Sequence, residues 1–180
     1  MIYIFKEEEI VLKIIETERL VLRELNDDDI TVLYSIFSDE ETMKYYPSPF
    51  NLEQTKNWIE ENKQRYREDG YSLWAVCLKE SNELIGDCGL VKQIVDGKTE
   101  VEVGYHIHKK YWSKGYATEA AKGCMEYGLS HLGQEKLISI IDPKNGPSIR
   151  VAEKNGFMKE KESFIFNKIH HIYSIQLSEI

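Results

Sequence analysis

The sequence predicts an α/β domain built on a mixed, mainly antiparallel sheet, and three observations support this fold class. Strand-like segments joined by short turns follow one another through residues 71–108, as is typical of antiparallel pairing. Apolar residues recur at helical spacing before and after that section. Residues 136–141 form a short, nearly all-apolar segment, which is expected of a strand that is covered on both faces.

The first predicted element is a strand over residues 14–25, with Leu20, Leu22 and Ile14 pointing inward. Three aspartates at 27–29 follow it. Acidic residues favour a helix start because the N-terminal end of a helix attracts negative charge. We therefore expect a helix directly after them.

The second helix is predicted between two clear boundary signals. The proline-rich segment 45–49 ends the first helix and forms a loop. Asn51 can then cap a helix that runs to about Asp69, and Gly70 can end it.

The central section is predicted to hold three strands, at 71–78, 83–95 and 99–108. Asp96-Gly97 between the last two is a strong signal for a tight hairpin. Residues 116–132 then form a third helix. Its inner face carries only small residues, which allow a helix to lie close to a sheet: Ala117, Ala120, Ala121, Cys124 and Gly128.

The last predicted elements are the strand at 136–141, a short helix and a closing hairpin. Pro147 can start the helix and Gly156 can end it. Residues 157–166 and 170–177 form the two strands of the hairpin.

Composition narrows the classes of function. The net charge of −8 disfavours nucleic-acid binding, which needs a basic surface. No apolar run approaches the roughly 20 residues of a membrane span, so no membrane association is expected. Residues 1–13 are interpreted as an extension to a single domain over 14–180. The acidic residues at 7–9 do not fit a signal peptide, and the three dispersed cysteines fit buried thiols in the cytoplasm.

Residues 111–120 are the segment that most clearly indicates a ligand site, because they join a strand to a helix through a glycine turn. The first N–H groups of a helix have no acceptor within it, and they form a natural site for an anion. Gly115 allows a tight turn and Lys114 adds positive charge. The spacing matches neither a nucleotide triphosphatase loop nor a dinucleotide-binding loop. A phosphate-bearing ligand is predicted here.

The strand at 99–108 places polar side chains on one face. Glu102, Gly104, His106 and His108 alternate with an apolar set. Glu102 can be a general base, or it can accept hydrogen bonds from a loop, and the strand alone does not decide between these readings. The two histidines lack the partners of a known metal motif, so no metal is expected.

Asn145 and Ser148 precede the last helix and also allow two readings. Asn145 can cap the helix, or it can hydrogen-bond a ligand beside the sheet. Ser148 can offer a proton to a leaving group.

Four segments in this order resemble the GNAT N-acetyltransferase superfamily, and specifically its RimJ/RimL-like branch. They are Thr17–Arg23, Glu102–Ile107, Tyr111–Ala120 and Asn145–Phe157. The resemblance covers residues 14 to 177. It implies a twisted sheet of about seven strands with helices on both faces. Trp112 fits this branch rather than the wider superfamily, and Ser113 replaces a glycine that the branch often has.

The resemblance also implies an enzyme that transfers an acetyl group from acetyl-coenzyme A to a primary amine, directly within a ternary complex. The amine would belong to a small molecule or a protein N-terminus, and a homodimer is common in the family. The implied catalytic residues are Glu102 as base and Ser148 or Tyr105 as acid. The implied coenzyme-binding residues are His106, Ile107, His108, Lys114, Gly115, Tyr116, Ala117, Thr118, Asn145, Arg150 and Lys154.

The acceptor pocket is predicted from the loop at 45–50, the long helix and Trp74, with Tyr45 and Tyr46 flanking a cationic amine. For Trp74 a place in the core is the alternative. Two other functions stay open. One is a non-catalytic module that senses acyl-coenzyme A, and the other is a zinc hydrolase that uses His106 and His108.

Overall fold

The computed structural model describes residues 12–176, so the extension assigned to residues 1–13 lies almost entirely outside the described residues. The strands are β1 Lys13–Glu16, β2 Leu20–Arg23, β3 Leu73–Leu78, β4 Leu84–Val95, β5 Lys98–Ile107, β6 Lys136–Ile141, β7 Met158–Ile165 and β8 Lys168–Gln176. The helices are α1 Ile30–Phe37, α2 Leu52–Asp69, α3 Tyr116–Ser130 and α4 Gly146–Lys154.

The described strands form one mixed, mainly antiparallel sheet, in the order β1-β2-β3-β4-β5-β6-β8-β7. Neighbours pair antiparallel except β5 and β6, which run parallel. This confirms the predicted fold class. The sheet has eight strands rather than about seven, because the segment predicted as one strand turns back on itself. The turn is closed by a hydrogen bond from the Thr17 N–H to the Leu20 carbonyl.

Helices cover both faces of the sheet, as expected. The helices α1 and α2 pack on the face that carries Ala75 and Cys77 of β3, whereas α3 and α4 pack on the face that carries Trp74 and Val76. Side chains alternate between the faces of a strand, so neighbouring residues of β3 contribute to different cores. Every residue of β3 except the last is buried.

The turn and cap signals predicted most element boundaries correctly. Asn51 caps α2 by accepting a hydrogen bond from the Gln54 N–H, and Gly70 ends the helix with a φ of 80°. The hairpin at Asp96-Gly97 has positive φ at both residues. Of the predicted inward residues, Leu20 and Leu22 are fully buried, whereas Ile14 is partly buried and packs against the core beside the buried Ile15, where β1 pairs with β2 through a bulge.

The small face of α3 lies close against the sheet. A Cβ atom on Gly128 would lie 3.1 Å from a methyl carbon of Leu90, so little space is left between helix and strand. Cys77, Cys88 and Cys124 are buried free thiols. Among residues 12–176, no helix is both long and apolar enough to cross a membrane. The close packing of α3 fixes the position of its N-terminus relative to β5.

Candidate active site

The phosphate loop (residues 111–118) leads from the end of β5 into α3 and leaves the helix N-terminus open. Gly115 has a φ of 84° and Ser113 a φ of 61°, so the chain turns through two left-handed residues. Within the described chain no side chain caps α3. The N–H groups of its first residues, Tyr116, Ala117 and Thr118, therefore lack acceptors within the helix. Such an N-terminus favours a bound anion.

Arg19 holds the phosphate loop in place. Its guanidinium donates to the Lys114 carbonyl at 3.0 Å and to the Glu119 carboxylate at 2.6 Å. It also lies 4.4 Å from the centre of the Tyr116 ring. No role was predicted for Arg19, since its partners lie about 100 residues away in the sequence. Its place in the Thr17–Arg23 segment was the only signal.

Two of the three basic residues that were predicted near the phosphate loop, Lys114 and Lys154, lie beside it. Lys154 lines the same groove as Gly115 and Thr118. The Lys114 ammonium lies 5.4 Å from the centre of the Tyr111 ring. Arg150 is exposed on α4. Lys114 and Lys154 thus add positive charge near the open N-terminus, whereas the Arg150 guanidinium lies beside Gly146 of its own helix.

Strands β5 and β6 separate beyond Glu102, and the gap between them is called the β5–β6 cleft below. Only Glu102 and Ile138 are paired across the two strands. Past this point the Val103 carbonyl accepts from the Ser139 hydroxyl at 3.2 Å instead of from a backbone N–H. Separated parallel strands leave backbone groups that an extended ligand can pair with.

The register of β5 decides which of its backbone groups face this cleft. The His108 N–H donates to the Ile85 carbonyl at 2.8 Å, and His106 lies opposite Asp87. Alternation along an antiparallel pair therefore points the backbone of His106 and His108 toward β4. This corrects their predicted backbone contacts with a coenzyme. Ile107 is the predicted residue whose backbone faces the cleft, and its carbonyl accepts from the Trp112 indole at 2.6 Å.

Glu102 lies at the start of the cleft, and its pKa is raised to about 7. Burial of the carboxylate raises the pKa because it disfavours the charged form. Three groups act in the opposite direction: the Gln93 amide, which donates at 2.8 Å, the Ile140 N–H at 3.4 Å and the positive form of His106. A carboxylate with a pKa near neutrality can both take up and release a proton at physiological pH.

Tyr105 and Ser148 meet on the α4 side of the sheet. The Tyr105 hydroxyl donates to the Ser148 carbonyl at 3.4 Å, and burial raises the Tyr105 pKa, so the phenol keeps its proton. Asn145 accepts from the Ser148 N–H at 3.2 Å and so caps α4. The capping alternative therefore describes the contact that the Asn145 side-chain oxygen makes.

Tyr46 reaches the opposite face of β5, where its hydroxyl lies 2.5 Å from His106 Nε2. Tyr45 is held through its carbonyl, which accepts from the Lys168 ammonium at 2.7 Å. Lys168 also pairs with Asp142 at 2.6 Å, so the loop is fixed to the ends of β6 and β8. Tyr46 lies on the same face of the sheet as Glu102.

Trp74 does not join this group. It is 1% exposed, and its ring packs 5.3 Å from that of Tyr127 on α3, on the other face of the sheet. The core alternative describes its position. Because all of β3 is apolar, the sequence could not show which of its residues face α2.

The two histidines of β5 are engaged in separate contacts. Both ring nitrogens of His106 have partners, Asp87 and Tyr46. His108 accepts from the Lys110 N–H through Nδ1. Within residues 12–176, no three His, Cys, Asp or Glu residues are grouped so that they could hold a metal ion.

Comparison with known proteins is consistent with this geometry. Residues 19–158 match the model of the acetyltransferase (GNAT) domain. YkkB of Bacillus subtilis is 37% identical over 158 residues, which cover 87% of this chain and 92% of YkkB.

Solved structures give the same result. An acetyltransferase of the GNAT family from Bacillus anthracis superposes with a TM-score of 0.77 at 31% identity, covering 90% of this chain and 97% of that one. RimL, a ribosomal L7/L12 α-N-protein acetyltransferase, superposes with a TM-score of 0.78 over 93% of this chain and 95% of its own. At 14% identity, this likeness shows that the chain shares the fold of RimL.

Proposed function

The chain belongs to the acetyltransferase (GNAT) family, and from this premise we propose that it transfers an acetyl group from acetyl-coenzyme A to a primary amine within a ternary complex. One observation carries the proposal. Glu102, with a pKa of about 7, lies on the strand that leads to the open N-terminus of α3. An anion site and a proton acceptor are thus placed along one strand.

The phosphate loop suits the pyrophosphate of the donor. The open N–H groups of Tyr116, Ala117 and Thr118 would bind the phosphate oxygens, with Lys114 and Lys154 adding charge. Arg150 would reach the nucleotide end. The loop is pre-formed, because Arg19 holds it from outside. A pre-formed site loses less conformational entropy when the ligand binds.

The β5–β6 cleft suits the pantetheine arm. An extended arm would pair with the backbone of β5 at Ile107, and Asn145, which follows β6 and caps α4, would hold it from the opposite side. The arm would then direct the thioester toward the part of β5 that carries Glu102.

Glu102 supplies the proton transfer. An alkylammonium has a pKa near 10, so at neutral pH its nitrogen lacks the free electron pair that attacks a carbonyl. Glu102 would remove one proton, directly or through water. A positioned general base of matched pKa contributes about 10²- to 10⁴-fold to the rate. The nitrogen then attacks the thioester carbonyl, and the C–S bond breaks so that the coenzyme leaves as a thiolate. The new amide nitrogen gives up its second proton, which replaces the proton that the acid donates to the thiolate, while Glu102 returns its own proton to solvent.

Tyr105 and Ser148 are the groups proposed to protonate the departing thiolate. The Tyr105 hydroxyl lies beside the first turn of α4, where Ser148 also lies. Its raised pKa keeps the proton available at physiological pH. No cysteine nucleophile is required, and Cys88 and Cys124 are buried in the core.

Two measurements test the proposal in separate steps. Calorimetry with acetyl-coenzyme A should show binding in the micromolar range, and no detectable heat would refute the donor site. A thiol-release assay with ribosomal-protein N-terminal peptides, amino acids, polyamines and amine antibiotics should then show turnover. Donor binding without turnover on any amine would instead favour the acyl-coenzyme A sensor.

A further inference from the structure

Asp87 is a fully buried carboxylate that the proposed chemistry does not use. It lies on β4 directly opposite His106 and is 0% exposed. A buried carboxylate is costly unless it is hydrogen-bonded. One oxygen accepts from the Trp58 indole at 2.9 Å, and the other lies 2.8 Å from His106 Nδ1. Asp87 is therefore placed to orient the His106 ring.

The direction of these hydrogen bonds follows from the groups involved. A carboxylate can only accept, so the proton of the neutral His106 ring lies on Nδ1 and is donated to Asp87. His106 Nε2 is then unprotonated. The Tyr46 hydroxyl, 2.5 Å away, must donate its own proton to Nε2. The Tyr46 oxygen is left with lone pairs only, and can accept hydrogen bonds but not donate one.

The ring environment keeps His106 in this orientation. The imidazole ring of His106 packs edge-to-face with Phe37 of α1 and Trp58 of α2, and the ring centres are 5.1 and 5.7 Å away. The Trp58 indole is itself bonded to Asp87. Rotation of the imidazole would therefore break a hydrogen bond to Asp87 and disturb two aromatic contacts.

Tyr46 and Glu102 border the same part of the sheet. Glu102 and His106 point to one face of β5, and the residue between them on that face is Gly104. A Cβ atom on Gly104 would meet only a Leu73 methyl at 3.7 Å, so the surface between the two polar groups is open. Burial of the Tyr46 hydroxyl is the main cause that raises its pKa. The negative charge of Glu102 is the next cause, ahead of the charge of Asp87.

We propose that Asp87 and His106 are positioning residues that turn Tyr46 into a pure hydrogen-bond acceptor for the incoming ammonium group. This inference rests on the proposed function and specifies how its acceptor is selected. The substrate nitrogen enters protonated and donates one N–H to Tyr46 and another toward Glu102. The site therefore favours unhindered primary ammonium groups over quaternary ones, which have no N–H to donate.

A spectroscopic experiment tests the orientation without any turnover. Long-range ¹H–¹⁵N spectra of ¹⁵N-histidine-labelled protein should show the neutral Nδ1–H form of His106, and Asp87→Asn should convert it to the Nε2–H form. Titration with n-butylammonium chloride should move the Nε2 resonance of the coenzyme A-bound protein, whereas tetramethylammonium should not. Tyr46→Phe should abolish the shift, and the matched control Tyr34→Phe, at an exposed tyrosine of α1, should keep it. A wild-type ring protonated on Nε2, or equal responses to both cations, would overturn the inference.

A kinetic experiment then uses the amine that the wild-type protein acetylates fastest. Tyr46→Phe and Asp87→Asn should each raise the KM for the amine about tenfold, with kcat and the KM for acetyl-coenzyme A little changed. The double variant should be no worse than either single variant, because both remove the same contact. Additive losses, or a loss in kcat alone, would contradict the inference. If no amine is acetylated although acetyl-coenzyme A binds, the proposed function fails, and the spectra still decide the role of Asp87.

Discussion

The proposed donor and acceptor ends of the site are built in different ways. The donor end is the phosphate loop, whose ligand groups are backbone N–H groups of consecutive residues at the start of α3. The acceptor end is made of side chains from three separate segments: Tyr46 on a loop, Asp87 on β4 and Glu102 with His106 on β5. A site made of local backbone leaves a readable sequence pattern, whereas one made of distant side chains does not.

The largest expected effect is at the donor end. Gly115→Asp would place a carboxylate beside the open N–H groups of α3, where it competes with phosphate. We expect calorimetry to detect no acetyl-coenzyme A binding. Gly115→Asn is the matched control, because asparagine has the same shape and also tolerates the positive φ of 84°. It should bind the donor within about tenfold of wild type, and equal loss in both variants would assign the effect to backbone strain.

The next largest effect is at the acceptor end. Glu102→Gln should lower kcat by about 10²- to 10⁴-fold and leave donor affinity unchanged. For wild type, kcat/KM should fall as the pH drops through about 7, because the base is then protonated. The groups facing Glu102 are Gln93 of β4, the Ile140 N–H of β6 and His106 of β5. If Glu102→Gln shows the same fall of kcat/KM at low pH, then Glu102 is not the general base.

Glu102 should also make the free energy of unfolding depend on pH. Its folded pKa of about 7 lies above the unfolded value of 4.5, so the folded protein holds the proton more tightly. Stability is thus lost as the pH rises from about 4.5 through 7. Glu102→Gln should be more stable than wild type at pH 8 by at most about 3 kcal/mol, and nearly equal at pH 4. Urea denaturation at both values checks this, and a pH-independent difference would contradict it.

A smaller effect is expected where the donor end depends on a distant side chain. Arg19→Lys keeps the charge but cannot bond Lys114 and Glu119 together while stacking on Tyr116. We expect the Kd for acetyl-coenzyme A to rise about tenfold, with the KM for the amine unchanged. Lys79→Arg, at an exposed pair with Glu16, serves as the control. An unchanged Kd would show that the phosphate loop holds its shape without Arg19.

The same contrast explains what the sequence could predict. The phosphate loop, the cap at Asn51 and the turn at Asp96-Gly97 are encoded within a few residues, and the structure contains each of these local features. Glu102 stood out because a carboxylate is unusual in a strand. Asp87 is equally unusual in β4, and that signal was missed.

The remaining features depended on information that only the tertiary structure contains. The contact between Tyr46 and His106 spans 60 residues, and nothing near either residue indicates it. The interpretation that placed Trp74 in the acceptor pocket was wrong. In a strand that is buried on both faces, apolar and polar residues do not alternate, so the sequence does not show which residues share a face. The backbone direction of His106 and His108 depends on the register with β4, which the sequence does not fix.

One feature of Glu102 constrains how its position can vary in evolution. Where β6 leaves β5, the Ile140 N–H bonds to the Glu102 carboxylate instead of to a strand carbonyl. The side chain thus also joins the two halves of the sheet. Alanine there would open this joint as well as remove the base, whereas glutamine keeps an oxygen in place. A lineage that lost the activity would therefore be expected to retain glutamine or glutamate at this site.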